Sequence, residues 1–239
     1  MRGLKDPGRA SVISSTEWNA ACLITRAASP THVIFLHKKF LLTVLLGVTW
    51  IAAVAFGLRV LLRYESTPGR IGVVGGNWPA TSAIARTGPN PTLVMLAHPH
   101  CPCTRASIGE LAQIVADTQG KLDAYVLFTK PNGAGADWDD TELRRSAAAI
   151  PGVTVLTDAD GSEARHFGAQ TSGHTLLFDR DGALRFSGGI TASRGHAGRN
   201  AGESAIIAVV NGKRSDRVRT PVFGCSLVTQ STEGTICLN

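Results

Sequence analysis

The sequence predicts an α/β domain with a parallel core sheet, an antiparallel edge hairpin and helices on both faces, behind one N-terminal transmembrane helix. Residues 40–58 form an uncharged apolar run of 19 residues. At ~1.5 Å per residue, this run approaches the ~30 Å hydrocarbon core of a bilayer. After residue 91, short apolar runs alternate with segments of helical period in the order βαβαβαββα. Such alternation indicates parallel strands, and two consecutive strands indicate a hairpin.

The composition fits one folded domain of ordinary size. The chain has 239 residues, a net charge of +6 and 44% hydrophobic residues, which is ample for a core and argues against a disordered chain. Lysine and arginine are scattered and are not interleaved with aromatic residues, so no nucleic-acid partner is predicted. The cysteines fit neither a dense disulfide framework nor a zinc-finger spacing; they are Cys22, Cys101, Cys103, Cys225 and Cys237.

The chain divides into regions of different composition. These are a basic, disordered tail (1–37), the transmembrane helix (38–63), a Gly- and Pro-rich linker (64–91) with a short strand over 71–74, the folded domain (92–212) and a C-terminal extension (213–239). The basic tail favours a cytoplasmic N-terminus, which would place the domain in an oxidising compartment. A cleaved signal peptide is the alternative, because residues 53–55 have the small-x-small pattern of a cleavage site.

Apolar runs and turn residues predict each element of the domain. Strands are predicted over residues 92–97, 122–129, 153–156, 174–178 and 183–186. Helices are predicted over residues 104–118, 139–150, 160–167 and 204–210. The last two strands are separated by an Asp-Arg-Asp-Gly turn at residues 179–182, which is typical of a hairpin.

The first strand leads into His98-Pro-His100-Cys101-Pro-Cys103, directly before a helix. Cys101 should therefore lie at a helix N-terminus, where backbone N–H groups and the helix dipole lower the pKa of a thiol below ~8.5. Cys103 is its expected disulfide partner. The one-residue spacing should strain that disulfide and favour passing it to another protein. His98 and His100 are expected to be solvated loop residues.

Two later segments resemble the thioredoxin superfamily. The segment 158–168 contains the predicted small helix and ends in Phe167-Gly168, and the segment 176–182 contains the end of a predicted strand followed by Asp-Arg-Asp-Gly. Over residues 71–212 the chain looks like the membrane-tethered thioredoxin-like proteins of bacterial envelopes, and segments 188–196 and 221–225 are similar to a RedB-like group among them.

This resemblance implies a thioredoxin-like fold that requires no cofactor. It also implies that the partners are protein thiols or disulfides of the cell envelope, together with the lipid bilayer. The implied location is the bacterial inner (plasma) membrane, with a single span and the domain on the periplasmic side.

The chain departs from that superfamily at two places. A Cys-x-Cys pair replaces Cys-x-x-Cys, and His174 stands where the superfamily has a cis-proline. A cysteine pair with a histidine in that loop resembles the Sco-type copper-delivery proteins. This second resemblance implies a Cu(I) site of Cys101, Cys103 and His174, whose thiolate and imidazole ligands suit the metal. Thiol–disulfide exchange, copper binding and a non-catalytic binding module therefore stay open as alternatives.

Three weaker features complete the interpretation. Cys225 would resolve a mixed disulfide, add a metal ligand or bridge Cys237. The Gly-rich segment around Arg194 is predicted to be an exposed loop, with an anion site at the following helix as the alternative. Peroxiredoxin chemistry is disfavoured, because it needs a Thr or Ser three residues before the cysteine and the chain has His98 there.

Overall fold

The computed structural model describes residues 30–86 and 88–227, with residues 30–36 described as backbone only. Cys22, Cys237 and a bridge between Cys225 and Cys237 lie outside the described residues. The chain divides into two compact units, Met1–Val54 and Ala55–Asn239, with the boundary inside the first helix.

The first element is a long apolar helix, α1 (Pro30–Ser66). It begins before the predicted start at residue 38, since the fixed φ of proline suits the first position of a helix. It ends before Pro68, which disfavours a helical conformation of the preceding residue. Within α1, His37–Ser66 has a mean hydropathy of 2.3 and 0% of its apolar window is buried. By length and composition, this segment is able to cross a membrane.

Five strands form one mixed sheet in the order β3-β2-β1-β4-β5. The parallel part contains β1 (Thr92–Ala97), β2 (Asp123–Lys130) and β3 (Val153–Ala159). The antiparallel hairpin of β4 (His174–Phe178) and β5 (Leu184–Gly188) is attached to β1. The predicted parallel core with an antiparallel edge hairpin is therefore confirmed. All six residues of the central strand β1 are buried, as its uninterrupted apolar run indicates.

Helices cover both faces of the sheet, as predicted. One core packs α2 (Thr104–Thr118), α3 (Glu142–Ala148) and α5 (Ala201–Val210) against the sheet through residues such as Leu111, Leu143 and Ile206. The second core packs α4 (Ser162–His166) and the following Phe167 against the opposite face. The central strand contributes to both cores and so fixes the position of the residues that follow it.

The first residues of two helices are set by capping side chains, and they differ from the predicted first residues. The hydroxyl of Thr141 accepts the N–H of Arg144 at 3.3 Å, so α3 begins at Glu142 and not at Asp139. Asn200 and Glu203 form a capping box at the start of α5, which therefore begins at Ala201, before the predicted residue 204.

The predicted strand over residues 71–74 is wrong. A Cβ at Gly72 would clash with the carbonyl of Gly168, so this segment packs directly on the end of α4. Its neighbours contact the hairpin through an isolated bridge between Asn77 and Ala183 and through the N–H of Leu184, which donates to the carbonyl of Gly76 at 2.8 Å. Among the glycines that suggested a linker, Gly72 serves the close approach of two backbones.

Candidate functional site

The Cys-x-Cys segment lies between the end of the central strand and the first turn of α2. The N–H of Cys101 donates to the carbonyl of His98 at 3.2 Å, and the N–H of Thr104 donates to the carbonyl of Cys101 at 3.0 Å. These turns place both cysteines at the helix N-terminus, where the sequence predicts them. Cys101 is 1% exposed and Cys103 is 9% exposed, so the pair is covered by other parts of the chain.

A third cysteine lies against Cys101. The backbone N–H of Cys225 donates to Sγ of Cys101 at 3.4 Å, across 124 residues of sequence. All three thiols are free, and Cys225 is the only one of them that is not buried. The sequence leaves three alternative roles open for Cys225, and the structure places it at the Cys-x-Cys pair.

The three thiols form one hydrogen-bonded cluster that favours a single negative charge. Hydrogen bonds from the thiols of Cys103 and Cys225 lower the pKa of Cys101, and the Cys225 N–H and the Thr104 hydroxyl act in the same direction, against desolvation. The hydrogen bond to Cys101 and burial raise the pKa of Cys103. The same two causes raise the pKa of Cys225. At neutral pH this arrangement favours one thiolate, on Cys101, with two protonated neighbours.

A hydroxyl network connects Cys101 to the loop before β4. The hydroxyl of Ser172 accepts the N–H of His98 at 2.9 Å and lies 2.8 Å from the hydroxyl of Thr104. When Ser172 donates to Thr104, the Thr104 proton is directed at the sulfur of Cys101. Neither hydroxyl is singled out by sequence analysis, since single Ser and Thr residues carry no pattern.

Arg194 lies beside the other two thiols. Its Nη1 donates to the carbonyl of Gly224 at 2.6 Å. Its positive charge opposes the rise of the pKa of both Cys103 and Cys225. The Gly-rich sequence around Arg194 predicts an exposed loop, with an anion site as the alternative. The structure instead brings its guanidinium to the cysteine site.

Three aromatic rings lie next to the Cys-x-Cys segment. The ring of Trp138 lies 5.4 Å from His98 and 4.7 Å from His100, measured between centroids. Nδ1 of His98 accepts the N–H of His100 at 3.2 Å, and Nε2 of His100 lies 2.9 Å from the carbonyl oxygen of Trp138. Each of these histidines therefore has a polar partner within the protein.

His174 is fully buried at the start of β4. Its Nε2 lies 2.8 Å from the hydroxyl of Ser187, and its Nδ1 has no hydrogen-bond partner among the described residues. Burial lowers the pKa of His174 to about 4. In residues 30–86 and 88–227, no group of three His, Cys, Asp or Glu residues is arranged to hold a metal ion. The copper set of Cys101, Cys103 and His174 stays a prediction, which this arrangement does not favour.

Comparison with known proteins finds similarity in structure alone. No protein-family model and no curated protein match the sequence. An uncharacterized conserved protein from Geobacillus kaustophilus matches over 70% of this chain and 95% of its own, with a TM-score of 0.52 and 16% identity. A hypothetical protein from Sinorhizobium meliloti matches over 70% and 99%, with a TM-score of 0.49 and 22% identity.

A secreted disulfide oxidoreductase from Mycobacterium tuberculosis also matches, over 52% of this chain and 82% of its own, with a TM-score of 0.37 and 15% identity. The strand order, the edge hairpin and the position of α2 after the central strand decide the fold class. The fold is thioredoxin-like. In this thioredoxin-like domain, the cysteine site lies at the carboxyl end of the central strand, where open α/β sheets place their functional groups.

Proposed function

We propose that this protein is a membrane-anchored thioredoxin-like protein that carries out thiol–disulfide exchange at Cys101. The observation that carries the proposal is the set of donors around Sγ of Cys101. The N–H of Cys225 and the thiols of Cys103 and Cys225 all lower the pKa of Cys101. A thiolate is the species that reacts with disulfides and the best leaving group when a disulfide opens.

The direction of exchange follows from the same interactions. Stabilising one thiolate stabilises the reduced site, and a site with a stabilised reduced form has a more oxidising potential. We therefore propose that the site donates a disulfide to a partner. The partner is a protein thiol of the cell envelope. Cys101 pairs with a second thiol of the site, for which Cys103 is the sequence-based candidate. No cofactor is required for this exchange.

The anchor and the location belong to the same proposal. The segment His37–Ser66 supports a single span, since none of its apolar window is buried. The proposed location is the bacterial inner membrane, with the thioredoxin-like domain on the periplasmic side. There the oxidising environment permits disulfides to form and persist.

Redox titration of the full chain in detergent tests the exchange. The protein is equilibrated in buffers of reduced and oxidised glutathione, its free thiols are alkylated, and the number of labels is read by mass spectrometry. We expect a reversible loss of two thiols in the wild type, and no such loss at this site in Cys101→Ser. A constant thiol number in the wild type at every buffer composition would refute the proposed function.

The copper alternative is tested on the same reduced protein by titration with Cu(I) against a competing chelator. That alternative requires His174→Ala to weaken Cu(I) binding. We expect no weakening, because no group of three His, Cys, Asp or Glu residues in the described part of the chain is arranged to hold a metal ion. A clear loss of affinity in His174→Ala would support the Sco-like copper set, and equal affinity would remove it.

A further inference from the structure

The C-terminal segment 221–227 is built to hold Cys225 at the site. The carbonyl of Cys225 accepts the N–H of Ser172 at 2.8 Å. After Cys225, Ser226 forms an isolated antiparallel bridge with Thr171, and the N–H of Leu227 donates to the carbonyl of Gln170 at 3.0 Å. These bonds fix the segment beside the loop that precedes β4.

The residue before Cys225 is a glycine for a steric reason. A Cβ at Gly224 would clash with the carbonyl oxygen of Ser172, so any other residue would move the segment away. Arg194 holds the same peptide from the other side through the Gly224 carbonyl, at 2.6 Å. The approach of Cys225 to Cys101 is therefore specified by several independent contacts.

The three cysteines differ in their exposure to solvent. Cys101 and Cys103 are 1% and 9% exposed, whereas Cys225 is partly exposed. An incoming partner sulfur must approach along the axis of the bond that it breaks. The partly exposed Cys225 offers that approach more readily than the buried Cys101 does.

The geometry points to a redox-active disulfide between Cys101 and Cys225, in which Cys225 is the sulfur that exchanges with the partner protein. This inference rests on the proposed function and names the second cysteine of the exchange. It replaces Cys103, the sequence-based candidate, whose disulfide with Cys101 would span one residue and depart from relaxed geometry. A bridge across 124 residues carries no such constraint.

In the oxidising direction, the exchange proceeds through two successive attacks by partner thiolates. A partner thiolate attacks Sγ of Cys225, the Cys101–Cys225 bond breaks, and Cys101 leaves as a thiolate. The partner is now joined to Cys225 by a mixed disulfide. A second partner thiolate attacks the partner sulfur of that bond, and Cys225 leaves and takes up a proton. The partner dithiol becomes a disulfide, two electrons pass to Cys101 and Cys225, and one proton is released because Cys101 stays ionised.

Cys103 has a separate role in this mechanism. Its thiol donates to the sulfur of Cys101 and lowers the pKa of Cys101. Such a donor stabilises the leaving thiolate without itself entering the disulfide. Cys103 is thus a positioning residue, and Cys103→Ser keeps a hydroxyl donor at the same place.

Disulfide mapping of the oxidised full chain in detergent tests the pairing. Digestion with trypsin and a glutamate-specific protease gives one peptide with Cys101 and Cys103 (87–105) and a second with Cys225 but not Cys237 (220–233). We expect these two peptides to be linked in the wild type and in Cys103→Ser. We expect no link in Cys225→Ser or Cys101→Ser.

The alternative pairings give different results. A disulfide within peptide 87–105, unchanged in Cys225→Ser, would overturn this inference and leave the proposed exchange intact. A link between Cys225 and Cys237 would also overturn it. If no reversible disulfide forms at Cys101 at all, the proposed function fails as well.

Trapping with glutathione tests which sulfur forms the mixed disulfide with a partner. Cys101→Ser is incubated with oxidised glutathione, and the position of the adduct is mapped on the same peptides. We expect the adduct on Cys225, as the partly exposed thiol. An adduct on Cys103 with Cys225 unmodified would overturn the assignment, even in a variant that folds less stably.

Discussion

At the scale of single residues, the charge of the site depends on donors that converge on Cys101. The N–H of Cys225 lies 3.4 Å from its sulfur. The Thr104 hydroxyl also lowers the pKa of Cys101, and Ser172 fixes its direction through a contact of 2.8 Å. Because the sulfur is almost fully buried, these donors take the place of water around the thiolate.

Thr104→Val should raise the pKa of Cys101. Valine keeps the shape of threonine but removes the hydroxyl donor, and a hydrogen bond to a charged group contributes about 1.5–3 kcal/mol. The pH titration of thiolate ultraviolet absorbance, taken as the difference from Cys101→Ser, measures this pKa. Thr118→Val is the matched control, because its buried hydroxyl donates to Ile114 at the far end of α2. Equal titration curves for Thr104→Val and the wild type would contradict the network.

His174 should make the domain less stable in acid. The pKa of His174 is about 4 in the folded protein and ~6.5 in an unfolded chain. Between these values the unfolded state binds more protons, so the free energy of unfolding falls as the pH decreases from ~6.5 to about 4. The stability from neutral His174 is fully present above ~6.5, and the total loss is on the order of 3 kcal/mol.

Denaturation of the full chain in detergent at pH values across this window measures the loss. His174→Gln should flatten the pH dependence, since glutamine does not titrate. His196→Gln, in the exposed loop, should leave it unchanged. A pH dependence that is the same in His174→Gln and in the wild type would show that another group is responsible.

At the scale of elements, the segment 221–227 completes the site that β1 and α2 begin. It lies beside the loop before β4 and contributes the third thiol. Gly189 packs on Pro221 in the same segment, with no space for a Cβ. Gly189, at the start of the Gly-rich loop after β5, therefore serves the docking of the C-terminal segment.

Gly224→Ala should disturb both stability and the site. The added Cβ meets the Ser172 carbonyl, and overpacking of this kind typically costs about 1–3 kcal/mol. The shift of Cys225 should also raise the pKa of Cys101, measured by the thiolate titration. Gly109→Ala is the control, because a Cβ there meets no atom within 4 Å and alanine favours a helix. A Gly224→Ala protein with wild-type stability and titration would contradict the packing described for the segment.

Local patterns in the sequence predict most of the sheet and only part of the site. The apolar run of β1, the hairpin turn and the helix after Cys103 are properties of neighbouring residues, and the structure confirms them. The contact between Cys225 and Cys101 spans 124 residues and depends on the packing of several glycines. Capping explains the errors at the starts of α3 and α5, because side chains of Thr141 and Asn200 end the preceding loops.

At the scale of the whole molecule, Arg194 connects the end of α1 with the cysteine site. Its guanidinium lies 4.9 Å from the centroid of the Tyr64 ring, and its Nε donates to the Tyr64 carbonyl at 3.2 Å. Its Nη1 donates to the Gly224 carbonyl. All of these residues belong to the unit Ala55–Asn239. The C-terminal end of the helix and the segment that carries Cys225 therefore share one arginine.

Arg194→Gln should weaken the contacts of residue 194 with both Tyr64 and Gly224. We expect the amide hydrogens of Gly69 and Cys225 to exchange with deuterium about tenfold faster, the change expected for a lost hydrogen bond of about 1.4 kcal/mol. Hydrogen exchange of the full chain in detergent measures this. Arg105→Gln is the control, since Arg105 forms an exposed ion pair with Glu142 and such pairs contribute little. Unchanged exchange at both amides would contradict the connection.

The proposed exchange depends most directly on an ionised Cys101 in the reduced protein. Thiolate ultraviolet absorbance of the full chain in detergent, followed from alkaline to acidic pH, measures this property. We predict that one thiolate persists well below pH ~8.5, the ordinary pKa of a free cysteine, and that Cys101→Ser removes it. If no thiolate remains below pH ~8.5, or if the signal is the same in Cys101→Ser, the proposed exchange at Cys101 is contradicted.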